Sequence, residues 1–214
     1  MEEYQHVYLD KKIDLINFIK SKINIFYRGR DIKDKDYIKV TKENLEIVIK
    51  LLRFLENKNP NLILLGRELT GKKPLFELAC FLSGIEIQEI DNSFCGDTIK
   101  TKEAFITSVI NPLLVNATHL NKKTIVYVPS NVKASYIYET INKLMDYDEI
   151  LNNFAFINME AHGEITEDQA YNRLLKNFAF CIDIVPKTEN YKRLFVKLFM
   201  LFNKSVLYII KFRF

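Results

Sequence analysis

The segment 61–73, NLILLGRELTGKK, constrains the fold of this chain more than any other stretch. An apolar run leads into a loop with a glycine at each end and a lysine after the second glycine, and a helical pattern begins at Pro74. This strand–loop–helix order is typical of a phosphate-binding loop, because its glycines let backbone N–H groups converge on phosphate oxygens. We therefore predict a P-loop. The alternative is an ordinary glycine-containing turn that joins a core strand to a helix.

The loop residues that we expect to contact a nucleotide are Gly66, Thr70, Gly71, Lys72 and Lys73. Lys72 stands where the motif has the lysine that reaches the β and γ phosphates. Lys73 stands where the motif has serine or threonine, whose hydroxyl binds Mg²⁺. We therefore predict that the loop binds ATP or ADP but lacks one ligand for Mg²⁺. We assign no catalytic residue and no metal ligand.

Composition allows one large domain, or one domain with an appendage, around a sizeable core: the chain has 214 residues, of which 48% are hydrophobic. The net charge of +4 is spread along the chain without an arginine-rich run, so we do not expect a nucleic-acid partner. The longest apolar stretch, 194–210, is interrupted by Lys197, Asn203 and Lys204. It therefore predicts a buried helix followed by a strand, and we do not expect a membrane partner.

The cysteines do not suggest a disulfide framework or a zinc site. The chain has three cysteines, an odd number, and they are widely spaced: Cys80, Cys95 and Cys181. Cys80 and Cys181 lie in apolar runs, which predicts buried thiols. The three histidines are also far apart, with no partner at the spacing of a metal site or a catalytic triad.

Strands and helices alternate after Pro60, which predicts an α/β fold with a parallel sheet. Two helices precede them, one over 10–27 and one that begins at an N-cap, Thr41. We therefore divide the chain into a helical lead-in, 1–59, and an α/β domain, 60–214. The predicted strands are 61–65, 85–90, 124–128, 178–185 and 206–210, and the predicted helices lie near 74–83, 101–118, 134–147, 166–176 and 189–203.

Three ordered segments resemble the fourth AAA+ module in the motor ring of dynein heavy chains. They are FLSGIEIQEID at 81–91, INKLMDYDEILNNF at 141–154 and NFAFCIDIVPKTENYKRLF at 177–195. The resemblance runs from Pro60 to about Ile210. It implies the large subdomain of an AAA+ P-loop NTPase without the small helical subdomain. It also implies a five-stranded parallel sheet in the order 5-1-4-3-2.

The chain differs from that family at the positions that orient Mg²⁺ and the attacking water. The family's third strand ends in an aspartate that orients Mg²⁺, whereas here TIVYV runs into Pro129 and Ser130. Val185 stands where the family has a polar sensor residue. Lys192 and Arg193 keep some of the positive charge of a family arginine run. Because phosphoryl transfer needs a positioned Mg²⁺ and a positioned water, we expect no hydrolysis of ATP.

Two functions from different classes remain open. The resemblance implies a structural or regulatory nucleotide-binding module of a microtubule motor, and a fragment of a longer polypeptide that is not an enzyme as an isolated chain. Its partners would be neighbouring AAA+ modules of the ring, and other dynein subunits and microtubules through the full-length motor. Its setting would be the cytoplasm and cytoskeleton, including the axoneme of cilia. The alternative is a free-standing P-loop ATPase or kinase-like enzyme, which the missing Mg²⁺ ligands disfavour.

Overall fold

The computed structural model describes residues 12–28, 38, 41–57, 60–96, 98–132, 134–145, 165–186 and 207–212. The helices are α1 (Lys12–Tyr27), α2 (Lys42–Leu55), α3 (Lys72–Leu82), α4 (Ile99–Phe105), α5 (Asn111–Thr118), α6 (Ser135–Met145) and α7 (Glu167–Asn177). The strands are β1 (Asn61–Leu65), β2 (Glu86–Glu89), β3 (Thr124–Val128), β4 (Phe178–Ile184) and β5 (Leu207–Lys211). The predicted helix at 189–203 lies outside the described residues.

The five strands form one parallel sheet in the order β2-β3-β4-β1-β5, which confirms the predicted order 5-1-4-3-2. Strand β1 lies between β4 and β5, so that Leu64 is the register partner of Asp183 on one side and of Ile210 on the other. Because all strands run the same way, their carboxyl ends meet at one edge of the sheet. The loop that follows β1 lies at that edge, between the ends of β4 and β5.

Alternate side chains of β1, β3 and β4 enter two cores on opposite faces of the sheet. One face packs against α4 to α7 and includes Ile63, Val126 and Phe180. The other packs against α1, α2 and α3, and we call it the α3 face. Its strand residues are Leu62, Leu64, Ile125, Tyr127, Ala179 and Cys181. The alternation in β4 continues to Asp183, which places this carboxylate on the α3 face, at the carboxyl edge.

The two predicted lead-in helices are present, and they share the core of the α3 face. Helix α2 begins after Thr41, whose hydroxyl oxygen accepts a hydrogen bond from the Asn44 N–H at 3.2 Å, so the predicted N-cap is confirmed. Its buried residues Val48 and Leu51 pack in the same core as Ile19 of α1. The described part of 1–59 is therefore packed onto the sheet. The division at residue 60 stays a prediction.

The predicted helix at 101–118 has an internal break. Helices α4 and α5 are joined by a π-helical turn, Ile106–Ile110. Pro112, in the first turn of α5, has no N–H to donate to the carbonyl four residues earlier, so the regular hydrogen-bond pattern cannot continue through it. Helix α3 also begins at Lys72, two residues before the predicted start.

Two local predictions are confirmed. Thr166 caps α7 through a reciprocal capping box with Gln169. Cys80 and Cys181 are buried free thiols, and burial raises the pKa of each well above its usual value, so both stay protonated. Among the helices described here, none combines the length and the apolar character that crossing a membrane requires.

Candidate functional site

The predicted phosphate loop, 66–71, is a compact turn at the carboxyl edge of the sheet. The N–H of Gly66 donates to the Ile184 carbonyl at 3.2 Å, which fastens the start of the loop to the end of β4. The Thr70 hydroxyl donates to the Arg67 carbonyl at 2.8 Å and closes the turn. Gly71 has a φ of 76°, a left-handed conformation that favours glycine, and α3 begins immediately after it.

The space around residue 66 leaves no room for a side chain larger than that of glycine. A Cβ atom at this position would lie 2.8 Å from the Cβ of Phe212, closer than two carbon atoms tolerate, and 3.2 Å from the Thr70 hydroxyl. Phe212 follows β5 and is buried, and its N–H donates to the Leu65 carbonyl at 2.7 Å. The first glycine of the loop therefore lets the end of β5 approach the end of β1.

Lys72 lies beneath the loop. Its ammonium nitrogen donates to the Gly66 carbonyl at 2.6 Å and to the Ile184 carbonyl at 3.2 Å. It also forms an ion pair with Asp183, with 2.6 Å between Nζ and Oδ1. The side chain is buried, so these contacts replace the water that a lysine ammonium would otherwise bind.

Asp183 is held from its other side by Tyr127. The phenol hydroxyl of Tyr127 donates to Oδ2 at 2.9 Å, and its ring stacks on Phe76 of α3 with the ring centroids 5.9 Å apart. Burial, with the negative charge of Asp183 as a second cause, raises the pKa of Tyr127 far above its usual value. Tyr127 therefore stays protonated and keeps donating, so the two oxygens of Asp183 face two different positive or donor groups.

Lys73 does not lie beneath the loop with Lys72. Its ammonium forms an ion pair with Glu89 at the end of β2, with 2.6 Å between Nζ and Oε2, and lies 3.9 Å from Oε1 of Glu77. It also lies 5.8 Å from the centre of the Tyr127 ring. Both lysines of the loop are thus engaged by carboxylates of neighbouring elements.

The end of β3 carries no carboxylate. Buried Val128 is followed by Pro129, whose carbonyl accepts a hydrogen bond from the Val132 N–H at 3.1 Å, and by exposed Ser130. Across the described ranges, no group of three or more His, Cys, Asp or Glu side chains is arranged to hold a metal ion. Lys192 and Arg193 lie outside the described residues.

The structure thus brings four of the five predicted site residues together: Gly66, Thr70, Gly71 and Lys72 form the loop and the helix start, while Lys73 turns toward β2. Asp183 and Tyr127 were not among the predicted site residues, because they lie on β4 and β3, outside the contiguous motif. A signal for them was present in the sequence. The period of two in 178–184 puts Asp183 on the same face as Cys181, and the predicted strand order puts β4 beside both β1 and β3.

Comparison with known proteins gives no family for this chain. None of the protein-family models matches the sequence, and no curated protein matches it. The class that fold and site define is therefore an α/β domain with a central parallel sheet and a glycine-bounded loop between β1 and α3, with a buried lysine beneath that loop.

Proposed function

We propose that this chain is a P-loop module of the AAA+ type that binds ATP or ADP weakly and does not hydrolyse ATP. The observation that carries the proposal is the position of the loop. It joins β1, an interior strand of a parallel sheet of order 5-1-4-3-2, to a helix whose first residue, Lys72, extends its ammonium beneath the loop. Ligands of open α/β sheets bind at the carboxyl edge, which is where this loop lies.

Weak binding of an anion fits the loop's chemistry. The first N–H groups of a helix have no partners within the helix, and they attract phosphate together with the positive end of the helix dipole. No side chain caps α3 in the described structure. Lys72 adds a positive charge beside these groups, although an incoming phosphate has to compete with Asp183 for it.

The absence of hydrolysis follows from what surrounds the loop. Phosphoryl transfer depends on Mg²⁺ that bridges phosphates and on an oriented water. Lys73 replaces the hydroxyl that would hold Mg²⁺, and its ammonium pairs with Glu89. Pro129 and Ser130 follow β3 in place of an acid. We therefore expect a structural or regulatory role.

The setting that we propose is the ring of a dynein-type microtubule motor. The segments 81–91, 141–154 and 177–195 support it by their likeness to the fourth AAA+ module of dynein heavy chains. The partners would be adjoining AAA+ modules of the ring, and other dynein subunits and microtubules through the whole motor. The location would be cytoplasmic and cytoskeletal, with the ciliary axoneme as one setting.

A phosphate-release assay tests the proposal against its alternative, a free-standing ATPase. With ATP and Mg²⁺ in excess, we expect a rate far below about 1 s⁻¹, the low end for working enzymes. The control is Lys122→Ala, which changes a lysine at the opposite edge of the sheet. Steady turnover that Lys72→Ala abolishes and Lys122→Ala leaves intact would refute the proposal.

A further inference from the structure

We infer that Asp183 competes with phosphate for Lys72: it holds the Lys72 ammonium beneath the loop and thereby sets how weakly the loop binds an anion. The inference rests on the proposed function, because it concerns the same loop. Asp183 would limit the affinity of that loop, although it lies on β4 and the loop follows β1.

The ammonium of Lys72 is already surrounded by oxygen atoms. It donates hydrogen bonds to the carbonyls of Gly66 and Ile184. Oδ1 of Asp183 lies 2.6 Å from the nitrogen as an ion-pair partner, at an angle that does not give a hydrogen bond. A phosphate oxygen can therefore approach this ammonium closely only by displacing one of these three oxygens. Asp183 is the one charged group among the three, so it contributes most of the attraction that phosphate has to overcome.

Asp183 has little freedom to move aside. Its backbone lies in β4, with Leu64 of β1 as its register partner. Its Oδ2 atom accepts the hydrogen bond of Tyr127, whose ring is buried against Phe76. Turning the carboxylate away would leave the buried Tyr127 hydroxyl without this acceptor, which is unfavourable.

Asp183 and phosphate both carry negative charge, and they would share one buried cation in surroundings that water screens poorly. If both anions bound the same cation, their mutual repulsion would oppose the attraction that each has for it. The loop therefore holds Lys72 either with the carboxylate or with phosphate, and the described structure is the carboxylate-bound form.

The experiment is a calorimetric titration with inorganic pyrophosphate in EDTA, using the full chain. Asp183→Asn removes the charge and keeps a side-chain oxygen that accepts from Tyr127. We expect pyrophosphate to bind this variant about tenfold or more tightly than the unchanged chain, because the competing negative charge beside Lys72 is gone. The charge-matched control is Glu86→Gln, which removes an acid paired with Lys122 at the amino edge of the sheet, and it should change the affinity less than about twofold.

A second variant shows whether the gain passes through Lys72. In Asp183→Asn combined with Lys72→Met, the gained affinity should disappear. No gain in Asp183→Asn, an equal gain in Glu86→Gln, or a gain that survives Lys72→Met would each overturn the inference. If Asp183→Asn does not fold in phosphate-free buffer, circular dichroism with added pyrophosphate decides, because a ligand of the native state stabilises it. Recovered helix signal supports the inference, and no recovery overturns it.

These outcomes are separate from those of the proposed function. The proposed function fails if the unchanged chain turns over ATP. The inference fails if Asp183→Asn leaves anion affinity unchanged, whatever the phosphate-release assay gives.

Discussion

The ammonium nitrogen of Lys72 and Oδ1 of Asp183 lie 2.6 Å apart, and the exposed fractions of the two side chains are only 4% and 11%. Lys72 begins α3 and Asp183 lies near the end of β4, so the ion pair joins the loop's helix to a strand beside β1. A buried ion pair contributes little net stability compared with apolar groups, yet removing one partner leaves an unpaired charge. The pair therefore has consequences for stability as well as for binding.

Removing one partner of the ion pair should destabilise the fold. We predict that Lys72→Met lowers the free energy of unfolding by about 3–5 kcal/mol, because it leaves the Asp183 carboxylate largely buried and without its cation. The double variant Lys72→Met with Asp183→Asn should lose less than the sum of the two single losses. Urea unfolding of all three variants measures the coupling.

The matched control is Lys122→Met. Lys122 pairs with Glu86, but these side chains are 53% and 46% exposed, so the loss should stay within about 1 kcal/mol. A Lys72→Met variant as stable as Lys122→Met would mean that the buried pair is not formed in solution.

Tyr127 should make the protein sensitive to alkali. Burial and the charge of Asp183 raise its pKa far above the usual value near 10. The unfolded chain loses the phenol proton as the pH passes about 10, whereas the folded chain keeps it, so this stability is full below that pH and is lost above it. Tyr127→Phe should flatten the decline of unfolding free energy above pH 10 by up to about 1.4 kcal/mol per pH unit. Parallel curves for the two proteins would contradict the buried, protonated phenol.

Gly66→Ala should destabilise the fold. The new Cβ would lie 2.8 Å from the Cβ of Phe212, and relieving that overlap requires the end of β5 to move. We predict a loss of about 1–3 kcal/mol in thermal or urea unfolding, as for other overpacked sites. Gly96→Ala is the control, because its Cβ would make an ordinary contact of 3.5 Å with the Thr101 hydroxyl oxygen. Equal stability of the two variants would show that Phe212 does not pack against the loop.

The sequence predicted the strands well because four of them, all but β2, are short and largely apolar runs. The residues themselves indicated only a parallel sheet. The order of its strands came from the resemblance, since the order depends on crossover connections between distant segments. The break between α4 and α5 was missed because the helical period of apolar residues continues through Pro112, while the loss of one N–H is a local effect.

The site was predictable only in part. The spacing of Gly66, Gly71 and Lys72 located the loop, because the motif is contiguous. The motif predicted Lys72 and Lys73 as nucleotide contacts but gave no indication of their protein partners. Asp183 and Glu89 reach them from β4 and β2, and these contacts depend on strand order and on which face α3 covers.

The most direct test of the central claim is a calorimetric titration of the unchanged chain with ATP, once with Mg²⁺ and once with EDTA. The account predicts weak binding that is as tight or tighter in EDTA, because Lys73 stands in place of the Mg²⁺-binding hydroxyl and Mg²⁺ would only reduce the charge that the loop attracts. Added salt should weaken this binding, because residues 67–69 of the loop are exposed and ions in solution screen the attraction that draws a charged nucleotide toward the loop. Binding that appears only with Mg²⁺, or no binding in either buffer, would contradict the account.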